Sequence, residues 1–169
     1  MQTRIRSLAL AALATVLVAS PALGLKGPPW ISIELPANPY DRSTRDAFLL
    51  VHPFHHGTAM GFIVTGTAEG MVNGERRSLK LDFAETSREG VFALKRTWPA
   101  EGTWTLVIQA NQGPGDAATA VVDLGPDGTV ATIRVPTMQR GSWTVPAPVS
   151  LGDIDAALRA RAATLARRS

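Results

Sequence analysis

Two alternating runs on either side of Asn73-Gly74 constrain this chain more than any other feature. Asn-Gly is the preferred pair for a two-residue hairpin turn, because both central residues need positive φ. Centring the turn there sets Val64 against Phe83, Gly66 against Leu81 and Ala68 against Leu79. Thr65 then faces Asp82, Thr67 faces Lys80 and Glu69 faces Ser78. One face of the hairpin becomes apolar and the other polar, and the small residues Gly66 and Ala68 stand opposite large leucines. A slip of one residue would mix the two faces, so the pattern itself specifies the register over 62–83.

Further strand patterns flank this hairpin. Trp30 to Leu35 alternates, with Ile31, Ile33 and Leu35 on one side, and Ala47 to Phe54 is apolar on both faces, as a central strand would be. Val91 to Trp98 alternates around Phe92 and Leu94. The turn Pro99-Ala100-Glu101-Gly102 then leads into Thr103 to Ala110, where Trp104, Leu106 and Ile108 share a face. Gly125-Pro126-Asp127-Gly128 joins Ala117–Leu124 to Thr129–Val135 as a short hairpin loop. About eight strands with turn signals every 8–12 residues predict an all-β, antiparallel β-sandwich. No helical period interrupts them, which argues against a parallel α/β fold.

The two ends read differently. Arg4 and Arg6, the apolar run Leu8 to Ala19 and the small residues Ala22 and Gly24 form the three parts of a secretion signal, with the cut after Gly24. The apolar run is about half the roughly 20 residues a spanning helix needs. Leu25, and not a lipid-bearing Cys, follows the cut. The expectation is a signal peptide over 1–24 and a periplasmic or extracellular product without a membrane span. The chain has 17 Lys and Arg against 14 Asp and Glu. Loss of Arg4 and Arg6 brings the remainder close to neutral, with no basic stripe for nucleic acid. Cysteine is absent, which excludes disulfides, thiol nucleophiles and thiolate metal sites. Roughly 145 residues nevertheless suffice to bury about two thirds of the unfolded surface. The β-domain is expected over 25–135, followed by a linker over 136–149 that holds Pro136, Gly141, Pro146 and Pro148. A helix over 150–169 opens on Ser150 and Asp153 as a capping pair. Its apolar stripe, Leu151, Ile154, Leu158, Ala162 and Leu165, fits either its own domain or a partner.

No Gly-x-Ser-x-Gly elbow, Ser-x-x-Lys pair or phosphate-binding glycine loop is present, so no catalytic residue is assigned. All three histidines fall in His52-Pro53-Phe54-His55-His56, with Met60 close behind. The spacing of His52 and His56 resembles the zinc-protease motif only superficially, because Pro53 intervenes and no Glu follows the first His. Imidazoles with a thioether suit copper, so His52, His55, His56 and Met60 are candidate copper ligands. Ordinary strand and loop packing is the competing account. Trp98 and Trp104 bracket a turn and offer either an aromatic platform or caps on the core. Arg76-Arg77 reads as solvated face.

Gly90-Val91-Phe92-Ala93-Leu94 and the later run Glu101-Gly102-Thr103-Trp104-Thr105-Leu106-Val107-Ile108 resemble the closing strands of bacterial exported immunoglobulin-like modules of the YtkA-like and FixH-like kind. The resemblance spans residues 44–110. It implies an immunoglobulin-like sandwich, and copper handling is associated with some members. The resulting expectation is a non-enzymatic exported binding or accessory module with no resident cofactor. It would recognise a protein or envelope component through loops or the C-terminal helix. The alternative is a copper-binding or copper-delivery protein.

Overall fold

The computed structural model describes residues 27–35, 38 and 40–167; the expected secretion signal lies outside them. The chain is mostly β, in antiparallel sheets, with one C-terminal helix. The first sheet contains β1 (Trp30–Glu34), β2 (Leu49–His55), β3 (Thr58–Ala59), β6 (Phe83–Glu85) and β7 (Phe92–Leu94), in the order β1-β2-β7-β6 with β3 on the end of β2. The second contains β4 (Ile63–Val72), β5 (Glu75–Lys80), β8 (Thr103–Gly113), β9 (Asp116–Leu124) and β10 (Val130–Arg134), in the order β10-β9-β8-β4-β5. Ile31, Leu49, Val51 and Leu94 of the first sheet join Ala68, Leu106, Ile108 and Val122 of the second in one buried apolar cluster. A short 3-10 turn, Arg42–Thr44, precedes β2.

The Asn73-Gly74 hairpin has the register set by its pattern: Thr67 pairs with Lys80, Ala68 with Leu79 and Glu69 with Ser78. Asn73 at φ 50° and Gly74 at φ 81° supply the two positive dihedrals the turn requires. The pairing does not run on to Phe83 as expected. Leu81 still donates its backbone N–H to Gly66 (3.0 Å), but Phe83 pairs with Leu94 in the other sheet. The run 75–83 is therefore two strands, because the chain crosses between sheets at Leu81-Asp82 and each half keeps its own partner. Gly70 has a packing reason: the ring of Trp104, its cross-strand neighbour, would stand 2.5 Å from a Cβ placed there. Trp98 and Trp104 are both buried in the core and are no platform. Trp98 meets Phe48 edge to face at 5.1 Å, and Trp104 Nε1 donates to the Glu101 carbonyl at 2.8 Å.

The two C-terminal elements depart from expectation in different ways. The stretch 136–149 is not a bare linker: β11 (Thr137–Arg140) and β12 (Trp143–Pro146) pair around Gly141-Ser142 as a third, two-stranded sheet. The helix α1 (Leu151–Ala166) starts as expected, with Ser150 Oγ accepting from the Asp153 N–H at 3.1 Å. It docks on the outer face of the second sheet. Ile154 (1% exposed) and Leu158 (0%) pack on Val107 and Val121, and Val149 joins them. Arg161 anchors the far end by donating to Thr105 Oγ1 at 2.7 Å and to Asp123 Oδ1 at 2.9 Å. Arg76, read as solvated, instead joins Glu69 (2.5 Å) to Asp155 of the helix (2.7 Å). Glu69, placed on the polar face by the sequence pattern, is 3% exposed because that face lies beneath this bridge and takes a further 2.9 Å hydrogen bond from Ser78.

These contacts order three substitutions by denaturant unfolding. Leu81→Ala and Leu158→Ala should each cost about 2–5 kcal/mol, as for buried leucines. Lys80→Ala, on an exposed position, should change stability by less than about 0.5 kcal/mol. A loss at Lys80 equal to that at Leu81 would contradict the register, and a silent Leu158→Ala would contradict the docked helix.

Candidate functional site

Alternation along β2 divides the histidines. Ile31 opposes Pro53 and Ile33 opposes Val51 on the core side, so Ser32, Glu34 and His52 lie on the outer face. His52 Nε2 lies 2.8 Å from Glu34 Oε2 there. His55, an odd number of residues further along, points to the other face, is 6% exposed, and holds its Nε2 3.3 Å from the Gly27 carbonyl oxygen. His56 follows at φ 49° on the exposed turn, its ring centroid 4.1 Å from that of His55. The Met60 backbone N–H donates to the Pro53 carbonyl at 3.0 Å, continuing the β2–β3 pairing. The expected four-donor set is therefore not assembled: His55 and His56 come together, and His52 is turned away toward Glu34. Among the described residues, no group of three or more His, Asp or Glu stands close enough to hold a metal ion.

A different site emerges beside His56. The β11–β12 hairpin pairs Met138 with Val145 and Arg140 with Trp143, so these four side chains share one face. Val145 is buried and turns that face toward the body of the protein. Toward the tip, Trp143 leaves the same face yet remains 75% exposed, because a cleft of about 690 Å³ lies beneath it. Across the cleft stand Trp30 and Phe54, cross-strand partners on β1 and β2, with His56 and Gly57 at the turn. Gln139 Nε2 donates to Thr144 Oγ1 at 2.8 Å, and the Ala147 N–H donates to the Pro136 carbonyl at 2.8 Å, bracing the hairpin across its strands and at its base.

No family model, curated protein or solved structure matches this chain. What the cleft can bind follows from its own walls. Two indoles, a phenyl ring and an imidazole provide flat apolar surface, and Arg140 provides a charge. Its volume is within the range of about 300–1,000 Å³ usual for small-molecule pockets. Among the described residues, no helix is long and apolar enough to cross a membrane.

Trp143 and Arg140 belong to no motif in the sequence, although the hairpin that carries them leaves a signal there. Gly141-Ser142 is a two-residue hairpin pair, and the flanking runs 137–140 and 143–146 are equal in length. The prolines at 136 and 146 hid it, but Pro136 precedes β11 and Pro146 ends β12, where neither breaks the ladder.

The outer-face group at His52 is electrostatic. The Glu34 carboxyl is held below its usual range, first by hydrogen bonds from Arg88 and then by the charges of Arg88 and His52, against a desolvation that raises it. A carboxylate depressed in the folded state stabilises fully above its ordinary value of 4.5 and loses that contribution as pH falls through the lowered value. Glu34→Gln should therefore lower stability at neutral pH by less than about 1 kcal/mol, as for a partly exposed ion pair. The gap to the parent protein should close in acid. Urea unfolding of both proteins at neutral pH and near pH 3 checks this; a gap that persists in acid would contradict it.

Proposed function

We propose that this chain is a non-enzymatic exported binding module with an immunoglobulin-like sandwich, and that it recognises a protein or envelope component at the cleft between the β2–β3 turn and the β11–β12 hairpin. The observation that carries the reading is Trp143. An indole that is 75% exposed on the inward face of a braced hairpin leaves a large apolar surface in water. Exposed aromatic surface beside a preformed concavity is the usual mark of a recognition site. Trp30 and Phe54 line the opposite wall, so a flat group entering the cleft meets rings on both sides. The periplasmic or extracellular location rests on the N-terminal pattern of Arg4, Arg6 and the apolar run that follows. A photo-crosslinking residue placed at Ser142, on the hairpin tip, should capture a partner in exporting cells, and the same residue at Lys80 should not. Equal capture at both positions, or none at Ser142, would remove this reading.

A copper-handling role has one observation in its favour, the 4.1 Å approach of the His55 and His56 rings. Such a site would use these two imidazoles and not His52. Copper in both oxidation states, titrated into the parent protein and the His55→Ala/His56→Ala variant, tests it. Affinity no tighter than micromolar, or unaffected by the double substitution, would exclude it.

A further inference from the structure

We infer that the cleft takes an aromatic group that carries a carboxylate, with Arg140 as the anchor for the anion; this deepens the binding reading above and rests on it. The charge pattern of the walls leads there. Among the described residues that line the cleft, Arg140 alone has a permanent charge, and none is acidic. Five arginines elsewhere are held by carboxylates: Arg76 by Glu69 and Asp155, Arg77 by Glu75, Arg88 by Glu34, and Arg134 and Arg161 by Asp123. Arg140 makes no ion pair and no side-chain hydrogen bond among the described residues. Asp116, in the adjoining cleft that Arg140 also borders, is not within ion-pair distance of it. A neutral ligand covering this guanidinium would strip water from it and give nothing back. A carboxylate restores the lost hydrogen bonds as a charge-assisted, planar, two-point contact.

The rings specify the remainder of the ligand. Arg140 and Trp143 are cross-strand partners on one face, so an anion held by the guanidinium leaves the attached group beside the indole. Trp30 and Phe54 wait on the far wall. A flat apolar group linked to its carboxylate by a short spacer satisfies both walls together, and an amide or amine in place of the carboxylate does not. Two sources present this chemistry: a free aromatic acid, and the last residue of a polypeptide ending in Phe or Trp.

Calorimetric titration of the purified protein separates them. Indole-3-propionate is compared with indole-3-propionamide, and a tetrapeptide ending in Phe is compared with its C-terminal amide. At least one acid should bind ten-fold or more tightly than its amide. Arg140→Gln should abolish that preference, and Trp143→Ala should weaken acid and amide alike. Both side chains are exposed, and thermal unfolding of the variants should match the parent. Preference for the peptide acid points to a chain terminus and agrees with recognition of a protein; preference for the small acid points to a free ligand, which supports the Arg140 anchor but overturns the protein or envelope component as the occupant. Equal binding of acid and amide, an undiminished preference in Arg140→Gln, or no binding by either pair at millimolar concentration overturns it. In the first two cases Trp143-dependent binding still supports the module. Capture at Ser142 in cells tests that broader reading separately.

Discussion

Strand β8 is buried on both of its faces, and the architecture follows from meeting that requirement. Trp104, Leu106, Ile108 and Ala110 enter the cluster shared by the two sheets, while Thr105 and Val107 point the other way and are buried as well. An ordinary two-layered protein leaves one face of each sheet in water. Here α1 supplies the missing cover, and Ile154 and Leu158 do for Val107 and Val121 what the first sheet does for Leu106. The stripe that fitted two destinations in the sequence thus has a partner within its own chain. A polar outer face receives the helix only if its polar groups are satisfied. Glu69 finds Arg76 and Ser78, and Asp123 finds Thr105, Thr132 and Arg161. Each carboxylate is held by a cation and at least one hydroxyl, which is what burying it beneath a helix demands.

The parts of the fold legible in the sequence are those decided by neighbours along the chain. The Asn73-Gly74 turn, the alternation of 103–110 and the Ser150 cap each depend on a few adjacent residues, and each stands where expected. The pattern alone puts Phe83 in the wrong sheet, because alternation records which face a residue takes and not which strand lies beside it. Leu81 and Phe83 both face apolar surroundings, so the pattern continues unbroken across the change of sheet. Glu69 and Arg76 looked solvated for a related reason. Their burial depends on a helix about 80 positions later in the chain, which no local pattern can register.

The candidate site shows the same limit. Three histidines in five positions drew attention by their clustering, but residues separated by an odd number along a strand face opposite ways, so His52 and His55 could not both turn to one ion while β2 stayed regular. Trp143 and Arg140 carried no such density. Their significance comes from Trp30 and Phe54, more than 80 positions earlier, which form the opposite wall. Proximity in sequence was the wrong measure for a site built from both ends of the domain.

The crossing at Leu81-Asp82 has a consequence for how the protein comes apart. Leu81 is hydrogen-bonded into one sheet and Phe83 is paired in the other, with one residue between them. So short a connection cannot stretch far enough to let the sheets part while both ladders stay closed. Opening either sheet at this point pulls on the other, which joins the two halves of the core into one unfolding unit. Amide protons deep in β2 and in β8 should accordingly exchange with solvent through the same rare global event, while the β11–β12 hairpin, outside that linkage, opens on its own at lower cost.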